Sequence, residues 1–318
     1  MNDQKKSRKI WGVIGWSALA IVAVVGLVLI FSAIFGGSGD EPEGPEASLP
    51  TPAPGVPSAT ALVAVNVRSG PGTQYPSYGV AAEGASAELI GVSENGGWWV
   101  VKVPLEIAPI GQGWVSGEYV QVEGGETVPI IPTPPEPPIG EIPEPPEGTP
   151  RATALDAINV RSGPGIQYPA YFVAAKGAVG EVIGVSEDLA WWVIKLPTDV
   201  VSEGQGWVSA DWVTTSDTQD VPIVPAPEEL PPVDPPNPPE GAPSAISLDY
   251  INVRSGPGLQ YSSYGVVQPG VSAEILGVSE DAGWWVVKVM AVEAGQAWVS
   301  ADYVQVSNVE GVPVIPAP

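Results

Sequence analysis

"NVRSGPG" runs from Asn66 to Gly72 and recurs letter for letter at Asn159–Gly165 and Asn252–Gly258, 93 residues apart each time. The tryptophan pairs Trp98-Trp99, Trp191-Trp192 and Trp284-Trp285 keep the same spacing, and a fixed long period marks repeated structural units. A Gly-Pro-Gly stretch invites a phosphate-binding reading. A P-loop, however, needs a lysine followed by Ser or Thr and then a helix, and a dinucleotide loop needs a third glycine. Here Gly72 is followed by Thr73, Gln74 and Tyr75. Proline holding φ near about −65° and glycine free to take positive φ make the motif a sharp reversal after a strand. It recurs because each unit turns the same corner.

Outward from that corner the apolar pattern has a period of two. In "WWVVKV" (Trp98–Val103) one face carries Trp99, Val101 and Val103 and the other Trp98, Val100 and Lys102, which predicts a strand. "AELIGV" (Ala87–Val92) reads the same way, and "SENGG" (Ser93–Gly97) supplies the turn of a hairpin. Each unit closes on "GWVSGEYV" (Gly113–Val120), "GWVSADWV" (Gly206–Val213) or "AWVSADYV" (Ala297–Val304). About five short strands with no amphipathic helix predict a small all-β barrel. Its inward set is Trp99, Val101 and Val103 with Val67, Leu89 and Val115.

Between the units the composition changes. Residues 123–149 and 215–242 are crowded with proline, glutamate and glycine and hold hardly an aromatic, so they are expected to be disordered, extended spacers with no core of their own. The organisation read from the sequence is a basic N-terminus (1–9), a transmembrane helix (10–35), a linker (36–56), barrels at 57–122, 150–214 and 243–307, Pro-rich linkers between them, and a tail (308–318). The run Ile10–Phe35 has no charged residue, and about 20 apolar residues suffice to cross a bilayer, whereas a cleaved signal has an apolar core of only about 7 to 15. Lys5, Lys6, Arg8 and Lys9 before the run place the N-terminus in the cytoplasm and the barrels outside.

Composition also excludes. There is no cysteine and no histidine, which removes disulfides, thiol nucleophiles, imidazole bases and the usual zinc ligand sets; no catalytic residue, metal or cofactor is expected. The net charge is −24, the wrong sign for gripping nucleic acid.

Taken in order, "NVRSGPG", the tyrosines of "QYPSYG" (Gln74–Gly79), "GWWVVKV" and "GWVSGEYV" resemble the bacterial Src-homology-3 domain, a barrel found mostly in exported and cell-wall-associated proteins. The resemblance covers each barrel and neither the anchor nor the linkers. It implies three SH3-like barrels in tandem, each with a short 3₁₀ turn before its last strand. There are departures: Trp212 stands where the other copies have Tyr119 and Tyr303, and Leu189-Ala190 replace Gly96-Gly97.

Strand faces leave Tyr75, Tyr78, Trp98 and Tyr119 as an outer aromatic shelf, and the resemblance implies a ligand-binding role for them. The second copy would use Tyr168, Tyr171, Trp191 and Trp212, and the third Tyr261, Tyr264, Trp284 and Tyr303. The alternative is that these rings only cover the barrel's open end. Arg68, Arg161 and Arg254, beside the turn, are expected either to clamp a ligand carboxylate or to pair with an acid on the same surface. The recurring acids Glu88, Glu94 and Glu118 and their counterparts read as solvated charge rather than as a glycosidase pair. The expected function is non-enzymatic binding of cell-envelope ligands, peptidoglycan peptides first. A scaffold recruiting an exported envelope protein and a passive stalk are the alternatives.

Overall fold

The computed structural model describes residues 44–318; the apolar run over 10–35, the basic segment before it and the start of the 36–56 linker lie outside the described residues. Pro42–Pro318 is one compact unit. Among the described residues the regular elements are strands and single 3₁₀ turns, and no helix is long and apolar enough to cross a membrane.

The first sheet comprises β1 (Ser58–Ala61), β2 (Val65–Arg68), β3 (Ser77–Ala81), β4 (Ser86–Ser93), β5 (Trp98–Lys102), β6 (Gln112–Ser116) and β7 (Val120–Glu123), hydrogen-bonded in the order β3-β2-β6-β5-β4-β1-β7. After a short β8 (Ile130–Ile131) the second comprises β9 (Arg151–Ala154), β10 (Ile158–Arg161), β11 (Ala170–Ala174), β12 (Val179–Val185), β13 (Trp191–Lys195), β14 (Gln205–Ser209) and β15 (Val213–Ser216). The third comprises β16 (Ser244–Ser247), β17 (Ile251–Arg254), β18 (Ser263–Val267), β19 (Ser272–Val278), β20 (Trp284–Lys288), β21 (Gln296–Ser300) and β22 (Val304–Ser307). All three share one strand order, so the 93-residue period is a period of folding.

Seven strands per barrel exceed the five expected. The extra ones, "SATA" of β1 and "SYGVA" of β3, are short and rich in Ser, Ala and Gly, which carry little strand propensity of their own. The central hairpin is as expected, with Trp99 opposite Val115 and Val101 opposite Gly113 across β5 and β6. Each sheet wraps a core of its own: Val67, Leu89, Val101, Val103 and Val115 are buried in the first, with Trp99 half-buried against them. Val100 and Trp114, on the opposite face, are also buried, and Trp114 borders a small cavity with Ile131, Pro132 and Pro134 of the following spacer. A 3₁₀ turn precedes the last strand in every barrel, capped by Ser116, Ser209 or Ser300, whose hydroxyl accepts from the amide two residues on.

The "NVRSGPG" corner folds as a turn, but its first glycine is required for space rather than for φ. A Cβ on Gly70, Gly163 or Gly256 would stand 2.3 to 2.4 Å from the ring of Tyr75, Tyr168 or Tyr261. The tyrosine ring occupies the space that a side chain there would need.

The spacers differ most from expectation. They are extended, yet they are hydrogen-bonded to the barrels as added parallel strand segments. The segment before each barrel lies along the edge strand: Ala47, Gly140 and Val233 amides donate to the carbonyls of Val80, Val173 and Val266, whose amides donate back to Pro45, Pro138 and Pro231. The segment after each barrel lies along the fourth strand, where Val92, Val185 and Val278 amides donate to Pro129, Pro222 and Pro313 carbonyls. A proline-rich strand suits an edge, since it needs to pair on one side only, and it blunts an edge that would otherwise be free.

Side chains across this contact are matched in size. Gly79 faces Ala47, with the would-be Cβ 2.8 Å from the alanine methyl, and Gly265 faces Val233. In the second barrel the pair is reversed: Phe172 fills the barrel position and Gly140 the spacer position, with the would-be Cβ of Gly140 2.1 Å from the ring. Gly140→Val is therefore expected to destabilise the protein by about 1–3 kcal/mol through overpacking, measured by denaturant unfolding. Adding Phe172→Gly should recover most of the loss, and a Gly140→Val chain as stable as the parent would show that the spacer does not lie there.

Candidate functional site

The turn arginines are buried, and two of them join consecutive barrels. Arg68 holds Asp156 of the second barrel in a two-pronged pair, Nη1 donating to Oδ1 at 3.1 Å and Nη2 to Oδ2 at 2.8 Å, while Nη1 also donates to the Tyr75 carbonyl at 3.0 Å. Arg161 holds Asp249 of the third barrel in the same way, at 3.4 and 3.0 Å. Each carboxylate also accepts from the following backbone amide at 2.7 Å. These are not exposed contacts of small worth: side-chain exposure is 6% and 7% for the first pair and 4% and 12% for the second. The acid is therefore one of the next barrel, buried at the junction, and not one on the same surface. The signal was present, since both acids stand 88 residues after their arginine where the first barrel has Val63. By contrast, the cross-strand pairs Lys102–Glu88, Lys195–Glu181 and Lys288–Glu274 lie at the surface with their lysines exposed and contribute little.

The twelve expected ligand-binding rings do not form one shelf per barrel. Tyr75 and Tyr168 are buried, and their hydroxyls donate to spacer carbonyls, Tyr75 to Pro134 at 2.7 Å and Tyr168 to Pro227 at 2.9 Å. The proline spacer thus lies where a peptide ligand was expected. Tyr78 packs against the first core, and Tyr171 against the second. Trp98, Trp191 and Trp284 are half-buried at the start of their strands and border neither of the two cavities described below. Tyr119 is 47% exposed and Tyr264 41%. Trp212 is buried in the second core and presses on Gly44, where a Cβ would meet its ring at 2.3 Å, so it is not a free shelf ring.

Two cavities gather the remaining rings. The smaller, about 60 Å³, is bordered by Tyr75 and Tyr78 of the first barrel, Asn159 of the second, and Leu248, Asp249 and Tyr303 of the third. The larger, about 630 Å³, lies between the second and third barrels and the spacer joining them, bordered by Tyr168, Tyr171, Glu203, Tyr250, Arg254 and Tyr261 among others. That volume falls in the range of about 300–1,000 Å³ usual for small-ligand sites. Among the described residues no cluster of acids is arranged to hold a metal.

The profile of the bacterial SH3 domain matches residues 63–121 and 249–305, and the sheet between them has the same strand order. The chain carries bacterial SH3 barrels in tandem. A related protein is Bacillus subtilis (strain 168) YrvJ, provisionally named an N-acetylmuramoyl-L-alanine amidase, 28% identical over 151 residues that make up 48% of this chain. The match spans 24% of YrvJ's length. Two Trichomonas vaginalis structures, NlpC2 and NlpC1, align at 12% and 10% identity, over 49% and 52% of this chain and 47% and 48% of theirs, each with a TM-score of 0.17.

Two outcomes test the SH3 junctions and rings. Asp249→Ala leaves Arg161 buried without an anion and should cost about 3–5 kcal/mol in denaturant unfolding, while the Arg161→Met, Asp249→Leu double variant should be close to the parent. Burial, and then the charge of Glu136, push the Tyr75 hydroxyl up from 10.0 to about 12, and burial raises Tyr78, Tyr168, Tyr171 and Tyr303 as well. A raised folded-state value means that the neutral phenols stabilise the fold below about pH 10 and that this is lost as pH rises through the folded values. Near-ultraviolet tyrosinate absorbance should therefore show a late group of phenols ionising only with unfolding. A single titration of all nine tyrosines near about pH 10 would contradict the packing.

Proposed function

We propose that this chain is a membrane-anchored protein of the cell envelope whose SH3 barrels stand outside the membrane and bind cell-wall polymer without covalent chemistry, with peptidoglycan peptides as the ligand. The observation that carries the reading is the tandem of bacterial SH3 barrels with a tyrosine-bordered cavity between two of them. The provisional name of the related YrvJ, an amidase of the N-acetylmuramoyl-L-alanine bond, points to the same polymer. A chain with neither cysteine nor histidine suits binding better than catalysis. The anchor is assigned to 10–35 on length and on the four cations before it, with 1–9 in the cytoplasm.

The buried junctions shape how such binding would work. Flexible beads would gain affinity by independent engagement of several weak sites, whereas barrels locked through Arg–Asp pairs present their surfaces in fixed register and lose less freedom on binding.

The test is sedimentation of the full-length protein, purified in mild detergent, with purified wall sacculi. Saturable pelleting is expected. Protein that stays in the supernatant would sink the reading.

A further inference from the structure

Arg254 repeats the backbone contacts of its two counterparts. Its Nη1 donates to the carbonyls of Leu259 at 3.2 Å and Tyr261 at 2.8 Å, as Arg161 Nη1 does to Ile166 at 3.3 Å and Tyr168 at 2.9 Å. The residue is only 7% exposed. What differs is the anion. Arg68 and Arg161 each hold an aspartate, whereas among the described residues no carboxylate forms an ion pair with Arg254, and its Nη2 makes no hydrogen bond. Burial lowers the pKa of this guanidinium, yet an arginine keeps its proton in a protein. The result is a guanidinium that borders the large cavity with no carboxylate at ion-pair distance, Glu203 favouring its charge only through space.

The large cavity explains what the place is for. The smaller cavity is bordered by Tyr78 and Asn159 and closed by Leu248 and Asp249, the corner that pairs with Arg161. Tyr171 and Asn252, each 93 residues on, border the larger cavity together with Arg254. The position taken at one junction by an aspartate corner is therefore an open space of about 630 Å³ at the next. A second copy of this chain cannot fill it in the same way, because its first barrel offers Val63, 47% exposed, where the others have aspartate. The exposed Glu203 borders the same space, as do Glu228 and Glu229, so the cavity offers both signs of charge, and Tyr171 and Tyr261 border it as well.

We propose that this cavity binds a short peptide, its free carboxylate held by Arg254 and a cationic side chain held by Glu203. The carboxylate completes the two-pronged geometry seen at Asp156 and Asp249, and the rings give the peptide apolar cover. This names a site and a ligand class for the wall-binding reading and rests on it for the source of the peptide.

The test uses the full-length protein in detergent and two synthetic probes, the tetrapeptide Ala-Lys-Ala-Ala with a free C-terminus and its C-terminal amide, in titration calorimetry. The free acid should bind at least about tenfold more tightly than the amide, the loss expected for one charge-assisted pair. Arg254→Gln should erase that preference and Arg254→Lys should retain part of it, so the lysine variant still decides the matter if the glutamine variant unfolds. Glu203→Gln should weaken the lysine-containing peptide and leave the preference for a free carboxylate intact. Equal binding of acid and amide, or an Arg254→Gln protein that still prefers the acid, overturns the assignment. Undiminished sacculus pelleting by an Arg254→Gln protein that no longer binds peptide overturns the link to the wall alone. Peptide binding without pelleting of the parent upholds the site and sinks the wall reading.

Discussion

A guanidinium taken out of water is costly without an anion, and the way this chain supplies one to two of its three turn arginines sets how its parts fit together. Arg68 and Arg161 leave the end of a strand, cross the carbonyls of their own turn and find the aspartate of the next barrel. The same side chain thus fixes a corner and a junction. An ion pair of this kind adds little net stability over an apolar pair of the same shape, but losing either partner is severe. Its value lies in register, since only one placement of the neighbouring barrel brings Asp156 or Asp249 within reach.

Once the junctions are set, the spacers have a path to follow. They need no core of their own because they use the barrels' edges. The segment before a barrel pairs with its edge strand, and the segment after it pairs with its fourth strand. Gly91, Gly184 and Gly277 sit beneath Ile131, Val224 and Ile315, at positions where any Cβ would stand 2.2 to 2.3 Å away. The tyrosine of each corner then donates to the passing spacer in the first two barrels. A surface that suits a peptide is in this way covered by the chain itself, and the space left over collects beside Arg254.

The strands around the tryptophan pairs were legible in the sequence because alternating β-branched and aromatic residues have no other periodic reading, and the inward valines followed from them. The edge strands were not, since "SATA" and "SYGVA" acquire strand geometry from their neighbours. At the spacers composition misleads, because it asks only whether a segment can bury a core alone. The signal that could have corrected it is the exchange of Ala47 and Gly79 for Gly140 and Phe172, then for Val233 and Gly265, at one fixed offset. Likewise, strand face marks out the candidate tyrosines, but which of them remain open depends on spacer contacts between residues 59 apart. The aspartate partners of Arg68 and Arg161 lie in the next repeat, so only a comparison between repeats points to them.

Spacers and barrels form one locked body, and native-state hydrogen exchange at the amides of Gly140 and Val233 reads this directly. Both donate to barrel carbonyls, at 3.0 and 2.8 Å. Exchange far slower than in an unstructured chain, approaching that of the barrel strands, is the result the account predicts. Exchange of both amides at the rate of a free proline-rich linker would contradict it.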